Sequence, residues 1–163
     1  AQTKPPFSRM SKTVGHISEV GRFSILLPIE PDSQRQIAPD KGISGGMQYF
    51  WRTADGEFFV TFFFSLTLPE NPQEELEDLR DAYLSGIEKN EGKLLEKKDL
   101  KLGKNIGLEF KATLKSKEIV IIRYYLVKKR IYVLSTRLNA GETGEVQLKT
   151  MDTFKLIEDK KSK

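Results

Sequence analysis

The sequence predicts an α+β fold, an antiparallel β-sheet packed by one long helix and a second, C-terminal helix, and three observations carry that reading. Residues 106–138 (IGLEFKATLKSKEIVIIRYYLVKKRIYVLSTRL) read as three consecutive strands joined by two tight, lysine-rich turns. Residues 47–53 and 57–68 flank Asp55-Gly56, a pair that tolerates the positive φ angles of a tight hairpin. Between these β-rich blocks, residues 71–74 (NPQE) open a segment whose apolar residues recur at spacings of three and four. Strands, a long helix, more strands and a closing helix make an α+β protein.

Each element has its own signal. Gly21 and FSILLP (23–28) give a short strand stopped by proline. Residues 29–46 hold Pro31, Pro39, Gly42, Gly45 and Gly46 without regular pattern and read as the longest loop. In the hairpin, Phe58, Val60, Phe62, Phe64, Leu66 and Leu68 alternate onto a core face with Met47, Tyr49 and Trp51 opposite; Phe59 and Phe63 fall on the other face and call for a cover of helix or loop. Asn71 suits the helix cap, Pro72 the first helical position and Glu74 the third, and the acids that follow complement the helix dipole. Leu76, Leu79, Tyr83 and Ile87 form the buried stripe, and Lys89 and Gly92 mark the exit.

A lysine-rich strand over 93–100 comes next. Ile106, Leu108, Phe110, Ala112 and Leu114 then alternate with polar residues, whereas Ile119, Val120, Ile121 and Ile122 run continuously, so the strand over 118–127 is central and covered on both sides. A two-residue turn at Lys128-Lys129 sets Tyr125 opposite Tyr132, Arg123 opposite Leu134 and Leu126 opposite Ile131. Val146, Leu148, Met151 and Phe154 suggest the short C-terminal helix. The domain is expected over 17–157, with a lead-in at 1–16 and a frayed basic tail at 158–163.

Composition bounds the function. The length of 163 residues suits one domain, and ten phenylalanines argue against disorder. The net charge of +4 is uneven: residues 70–81 carry six acids against Arg80, and residues 89–130 carry thirteen bases against five acids. A positive field of that kind attracts an acidic protein, anionic lipid or nucleic acid, although lysines also keep strands soluble and block edge pairing. The acidic helix and the expected export argue against nucleic acid. With no cysteine, there is neither a disulfide frame nor a thiolate metal site. No apolar run approaches the ~18 residues of a membrane span. The chain starts at Ala1 with the polar AQTKPPFSRM, which reads as the start of a mature or trimmed polypeptide and makes export the preferred expectation.

No constellation specifies a reaction. His16 is the only histidine, GISGG (42–46) lacks the lysine and following helix of a phosphate loop, and the paired carboxylates Glu74/Glu75 and Glu77/Asp78 fit capping and dipole roles. No cofactor and no metal site is indicated. The expected binding residues are Tyr49, Trp51, Arg52, Arg123, Tyr125 and Tyr132, on a sheet face; with Tyr124 and Arg137 they could stack a base or sugar, or simply finish the core. Lys115, Lys117, Lys128, Lys129 and Arg130 form an expected basic surface at the turns.

The order FSILLP, GLEFKA, RYYLVKKRIYVL and MDTFKL resembles exported bacterial domains of the PsbP-like class, α/β/α sandwiches related in fold to the extrinsic lumenal proteins of photosystem II. The similarity runs over residues 23–156. It implies a non-enzymatic accessory or protein-binding module of the bacterial envelope or thylakoid lumen, in the periplasm, lumen or lipid-anchored at the membrane surface, with a protein partner such as a membrane complex. The chain departs from photosystem PsbP in that its single histidine cannot supply that family's metal-binding histidines. From a different class, a small-molecule carrier or enzyme would hold a pocket between sheet and long helix where Glu109, Arg123 and Tyr125 converge.

Overall fold

The computed structural model describes residues 15–40 and 42–157. The expected lead-in and basic tail fall outside these residues, apart from Gly15 and His16, and His16 opens the first strand. In chain order the elements are β1 (His16–Ser18), β2 (Phe23–Ile25), β3 (Ser33–Ile37), β4 (Ile43–Thr53), β5 (Gly56–Ser65), α1 (Pro72–Lys89), β6 (Lys93–Leu102), β7 (Asn105–Thr113), β8 (Ile119–Val127), β9 (Arg130–Leu138), α2 (Glu145–Met151) and β10 (Lys155–Leu156). Seven strands form one antiparallel sheet in the order β3-β4-β5-β9-β8-β7-β6, and β1-β2-β10 form a small antiparallel second sheet. The fold is α+β as expected.

Hairpin chemistry sets the registers. Thr53 pairs with Gly56, whose φ of 133° closes the β4–β5 turn and puts Trp51 opposite Phe58. At the β8–β9 turn, Lys128 takes φ 58°, a left-handed conformation that tight two-residue turns require. Tyr125 therefore pairs with Tyr132, Arg123 with Leu134 and Leu126 with Ile131, all as the sequence indicates.

The large sheet buries two unlike cores. On one face, Trp51, Phe58, Phe62, Tyr125, Tyr132 and Leu134 pack with Phe23 and Ile25 of the small sheet, Met151 of α2 and Phe154 of the α2–β10 connection. On the other, Leu108, Phe110, Ala112, Ile122, Tyr124 and Leu126 pack with Leu76 and Ile87 of α1. The cap is as read: Asn71 Oδ1 accepts the Glu74 amide at 3.1 Å, with Pro72 opening the helix. After α1 the chain passes so close to Ile87 and the Thr113 carbonyl that a Cβ at residue 92 would lie 2.3 Å and 2.5 Å from them, which is why glycine stands there.

Five expectations need correcting. Residues 29–46 are not one loop: β3 pairs with β4, and β4 begins at Ile43. β3 (SQRQI) is an exposed edge strand with no apolar alternation to announce it. Leu66 and Leu68 lie beyond the end of β5 and are exposed, because the chain turns away where the Leu66 amide bonds the Gly42 carbonyl. Tyr83 is 49% exposed although it shares the sheet-facing side of α1 with Leu76. After α2 the chain forms β10 and pairs with β2, so MDTFKL holds the second sheet together as well as a helix end. Of the two outlying phenylalanines, Phe63 packs into the α1 core, whereas Phe59 does not.

His16 is the most constrained group in β1. Its ring lies 5.0 Å from Tyr49 and 5.1 Å from Trp51 between centroids, Nδ1 sits 2.7 Å from the Ile29 carbonyl, and Nε2 is buried with no partner. Burial lowers its pKa from 6.5, against the opposing effect of the Ile29 bond. The unfolded chain thus binds more protons than the folded one just below that value, so the contribution of neutral His16 is complete above about pH 6.5 and is lost as pH falls toward the lower folded value. Urea titrations at about pH 7.5 and about pH 5.5 are expected to show a drop in midpoint that is smaller in His16→Asn; equal drops would remove His16 as the cause. Leu76→Ala, at a fully buried site, is expected to cost about 2–5 kcal/mol in the same assay, with Leu79→Ala costing less because Leu79 is only partly buried.

Candidate functional site

The structure divides the residues singled out by sequence. Tyr49, Trp51, Tyr125 and Tyr132 all face the small sheet and are buried. Trp51 Nε1 donates to the Pro28 carbonyl, Tyr49 shares a hydrogen bond with Ser18, and the Tyr132 hydroxyl donates to the Gly21 carbonyl. Burial pushes the Tyr132 hydroxyl up to about 12 despite nearby Arg130, so it stays a proton donor. These aromatics finish the core and present no surface. Arg52 points to the opposite face and is exposed. The basic turn residues do not form one patch: Lys115 and Lys117 sit at the β7–β8 turn, whereas Lys128, Lys129 and Arg130 sit at the other end of β8. Lys115 pairs with Glu91 at 3.1 Å, and Arg130 turns inward over the Tyr132 ring.

Glu109, Arg123 and Tyr125 do converge, but on the face away from α1. One row of paired residues crosses the sheet as Gln34, Tyr49, Val60, Leu134, Arg123, Glu109 and Lys98. Arg123 Nε donates to Glu109 Oε1 at 2.7 Å and its Nη1 to Asp152 Oδ1 at 2.7 Å. Glu109 is 2% exposed, and Lys98 Nζ lies 3.7 Å from its other oxygen. Burial disfavours the Arg123 cation, but the hydrogen bonds to Glu109 and Asp152 outweigh it and raise its pKa. The Tyr125 ring passes over Gly107, where a Cβ would lie 2.5 Å from a ring carbon, and stacks on Phe154 at 5.8 Å. With its donors committed in this way, the group latches the α2–β10 connection to the sheet. Among the described residues, no group of three or more His, Asp or Glu could hold a metal ion.

The free surface lies on the α1 side. α1 covers β6, β7 and β8, and beside it β9, β5, β4 and β3 present three rows: Ser135, Phe59 and Phe50; Val133, Thr61, Gln48 and Arg35; Arg137, Glu57 and Arg52. Phe50 and Phe59 are half-buried with ring centroids 4.8 Å apart, and the Arg52 guanidinium sits 5.6 Å from the Phe50 ring while pairing with Glu57 at 3.0 Å. Arg35 donates to Gln48, and Gln48 to Thr61. A cleft of about 430 Å³ over Arg35, Phe50, Arg52 and Phe59 shares Gln48 and Phe59 with one of about 220 Å³ that reaches Tyr83 and Arg137. Those two residues also line a cleft of about 720 Å³ at the C-terminal end of α1. Together the three make a trough, and Tyr83 is half exposed because it overhangs it. The Phe50–Phe59 pairing was legible from the Asp55-Gly56 turn, which fixes it by register; that α1 would stop short of it was not.

No family model and no curated protein matches the chain. Solved structures share its fold. The cyanobacterial PsbP (CyanoP) of Synechocystis superposes with a TM-score of 0.52 at 6% identity, over 86% of this chain and 90% of that one. A protein of Bacteroides thetaiotaomicron superposes with a TM-score of 0.50 at 12% identity, over 90% of this chain; this chain spans about half (49%) of that protein's length. LpqN of Mycobacterium tuberculosis, a protein involved in cell envelope biogenesis, gives 0.44 at 13% identity, over 97% of this chain and all (100%) of its own. At such identities the likeness to the first two is one of fold, and the match to CyanoP makes that fold PsbP-like.

Arg123→Ala leaves Glu109 buried with only the half-exposed Lys98 nearby and is expected to cost about 3–5 kcal/mol in a urea titration. Replacing both members, Glu109→Leu with Arg123→Met, is expected to recover much of that loss. Equal losses in the single and double variants would show that the pair is not what holds this region.

Proposed function

We propose that the chain is a non-enzymatic accessory module that binds a protein partner through the open half of its sheet, in an exported setting beside a membrane complex. The resemblance to the PsbP-like class supports the setting, and the PsbP-like fold agrees with it. No helix among the described residues is long and apolar enough to cross a membrane. The observation that carries the docking role is the Phe50–Phe59 pair, left half-exposed between Arg35, Arg52 and Arg137 on a sheet whose opposite face is filled. Aromatic and arginine side chains dominate binding energy at protein interfaces, since they bury large area and still offer directional polar contacts.

The rival reading, a carrier or enzyme with a pocket between sheet and helix, has less behind it. Glu109, Arg123 and Tyr125 lie on the other face and bond one another and Asp152.

The test is chemical crosslinking and capture from membranes of the organism that encodes the chain, comparing wild type with Phe59→Ser and Arg137→Glu. A specific partner lost in both variants is the expected result. Capture of nothing, or of the same proteins by all three forms, would overturn docking at this face.

A further inference from the structure

The geometry points to a second copy of this chain as the occupant of the trough: two molecules pack face to face about a two-fold axis, and the acidic outer stripe of each α1 lies over the arginines of the other's open half-sheet. This rests on the docking reading above and adds the identity of the occupant.

Charge complementarity carries it first. At about 100° per residue, Glu74, Asp78, Asp81 and Glu88 fall within about 40° either side of one line along α1, with Ser85 between them. All five are exposed, and the buried Leu76 and Ile87 lie on the opposite side, so the stripe points straight away from the sheet. No lysine or arginine sits on that line, and the one base that reaches it is Arg80, which pairs with Asp81 from the side at 3.0 Å. The trough offers the reverse: Arg35, Arg52 and Arg137, with Glu57 3.0 Å from Arg52 and Glu118 3.9 Å from Arg137. Four carboxylates with one base on one surface, and three guanidinium groups with two acids on the other, attract when facing and repel when like meets like.

Placement carries it second. The helix and the trough lie side by side on the same face of the same sheet, so an axis between them and parallel to α1 sets each helix into the other molecule's trough at once. Such a contact is isologous and closes at two copies. Outside the stretch of Ile131, Val133 and Phe63 that packs with α1, four strands at about 4.8 Å spacing span roughly 19 Å, enough for a helix about 10 Å across. Ser85 and Ala82, small and exposed on α1, allow close approach over Phe50 and Phe59, which become an apolar centre within a charged rim.

The experiment is sedimentation equilibrium of the chain at low and high salt, with two charge-reversed variants. Wild type is expected to dimerise at low salt and to weaken at least about tenfold at high salt, as an interface built on charge does. The trough variant Arg52→Glu/Arg137→Glu and the helix variant Asp78→Lys/Asp81→Lys are each expected to be monomeric. An equimolar mixture of the two restores a dimer, because both contacts in the mixed pair are again of opposite sign; that restoration also shows that the variants are folded. A wild type that stays monomeric at every concentration, or a dimer indifferent to salt and to both reversals, would overturn the inference. Monomeric wild type together with trough-dependent capture of a different protein would remove the second copy as occupant and leave the docking reading standing.

Discussion

All residues of β8 from Val120 to Val127 are buried, and that demand for cover on both sides shapes the rest of the molecule. An interior strand of a seven-stranded sheet cannot meet it alone, so each face acquires its own layer. α1 supplies one, laid over β6, β7 and β8. The small sheet and α2 supply the other, through Phe23, Ile25, Met151 and Phe154. The two layers differ because the faces differ: the α1 side of β8 carries Val120, Ile122, Tyr124 and Leu126, whereas the other carries Ile121, Arg123, Tyr125 and Val127.

A buried guanidinium in the second of these faces has a structural consequence. Arg123 must be paired, and Glu109 from the neighbouring strand does so within the sheet, while Asp152 does so from the end of α2. One cation therefore ties the central strand to the layer above it. The aromatic side chains around it complete the tie: Phe154 stacks on Tyr125 and Phe23 and meets Tyr132 edge-on. Such a pair contributes little net stability over apolar residues, but it is satisfied in one arrangement only and so specifies where the C-terminal segment docks.

A seven-stranded sheet is wider than one helix, and the shortfall leaves part of one face open. α1 lies toward β7, and the strands beyond β8 keep half-buried aromatic and exposed arginine side chains on that face. The edges of the sheet are treated differently. β6 places Lys93, Lys97, Lys98 and Lys101 along one edge, which blocks pairing with another strand, while β3 at the other edge is short and polar. Strand pairing is thereby disfavoured at the edges, and the face between them carries the acidic stripe of α1 and the arginines of the trough side by side.

Much of this architecture was legible in the sequence, for local reasons. Turn chemistry at Asp55-Gly56 and Lys128-Lys129 fixes two registers by counting, Asn71-Pro72 fixes the start of α1, and the unbroken IVII fixes the double burial of β8. Periodicity says which side chains share a face, and it places Phe50 with Phe59 and Arg123 with Glu109 and Tyr125. It does not say which layer covers which face, or how far that layer extends, since both depend on contacts between residues far apart in the chain. Only the tertiary structure decided that Tyr49, Trp51 and Tyr132 lie under the small sheet while Arg52 is exposed and Phe59 half-buried on the other face. The same holds for β3 and β10, which become strands because a neighbour offers them hydrogen bonds and not because of any pattern of their own.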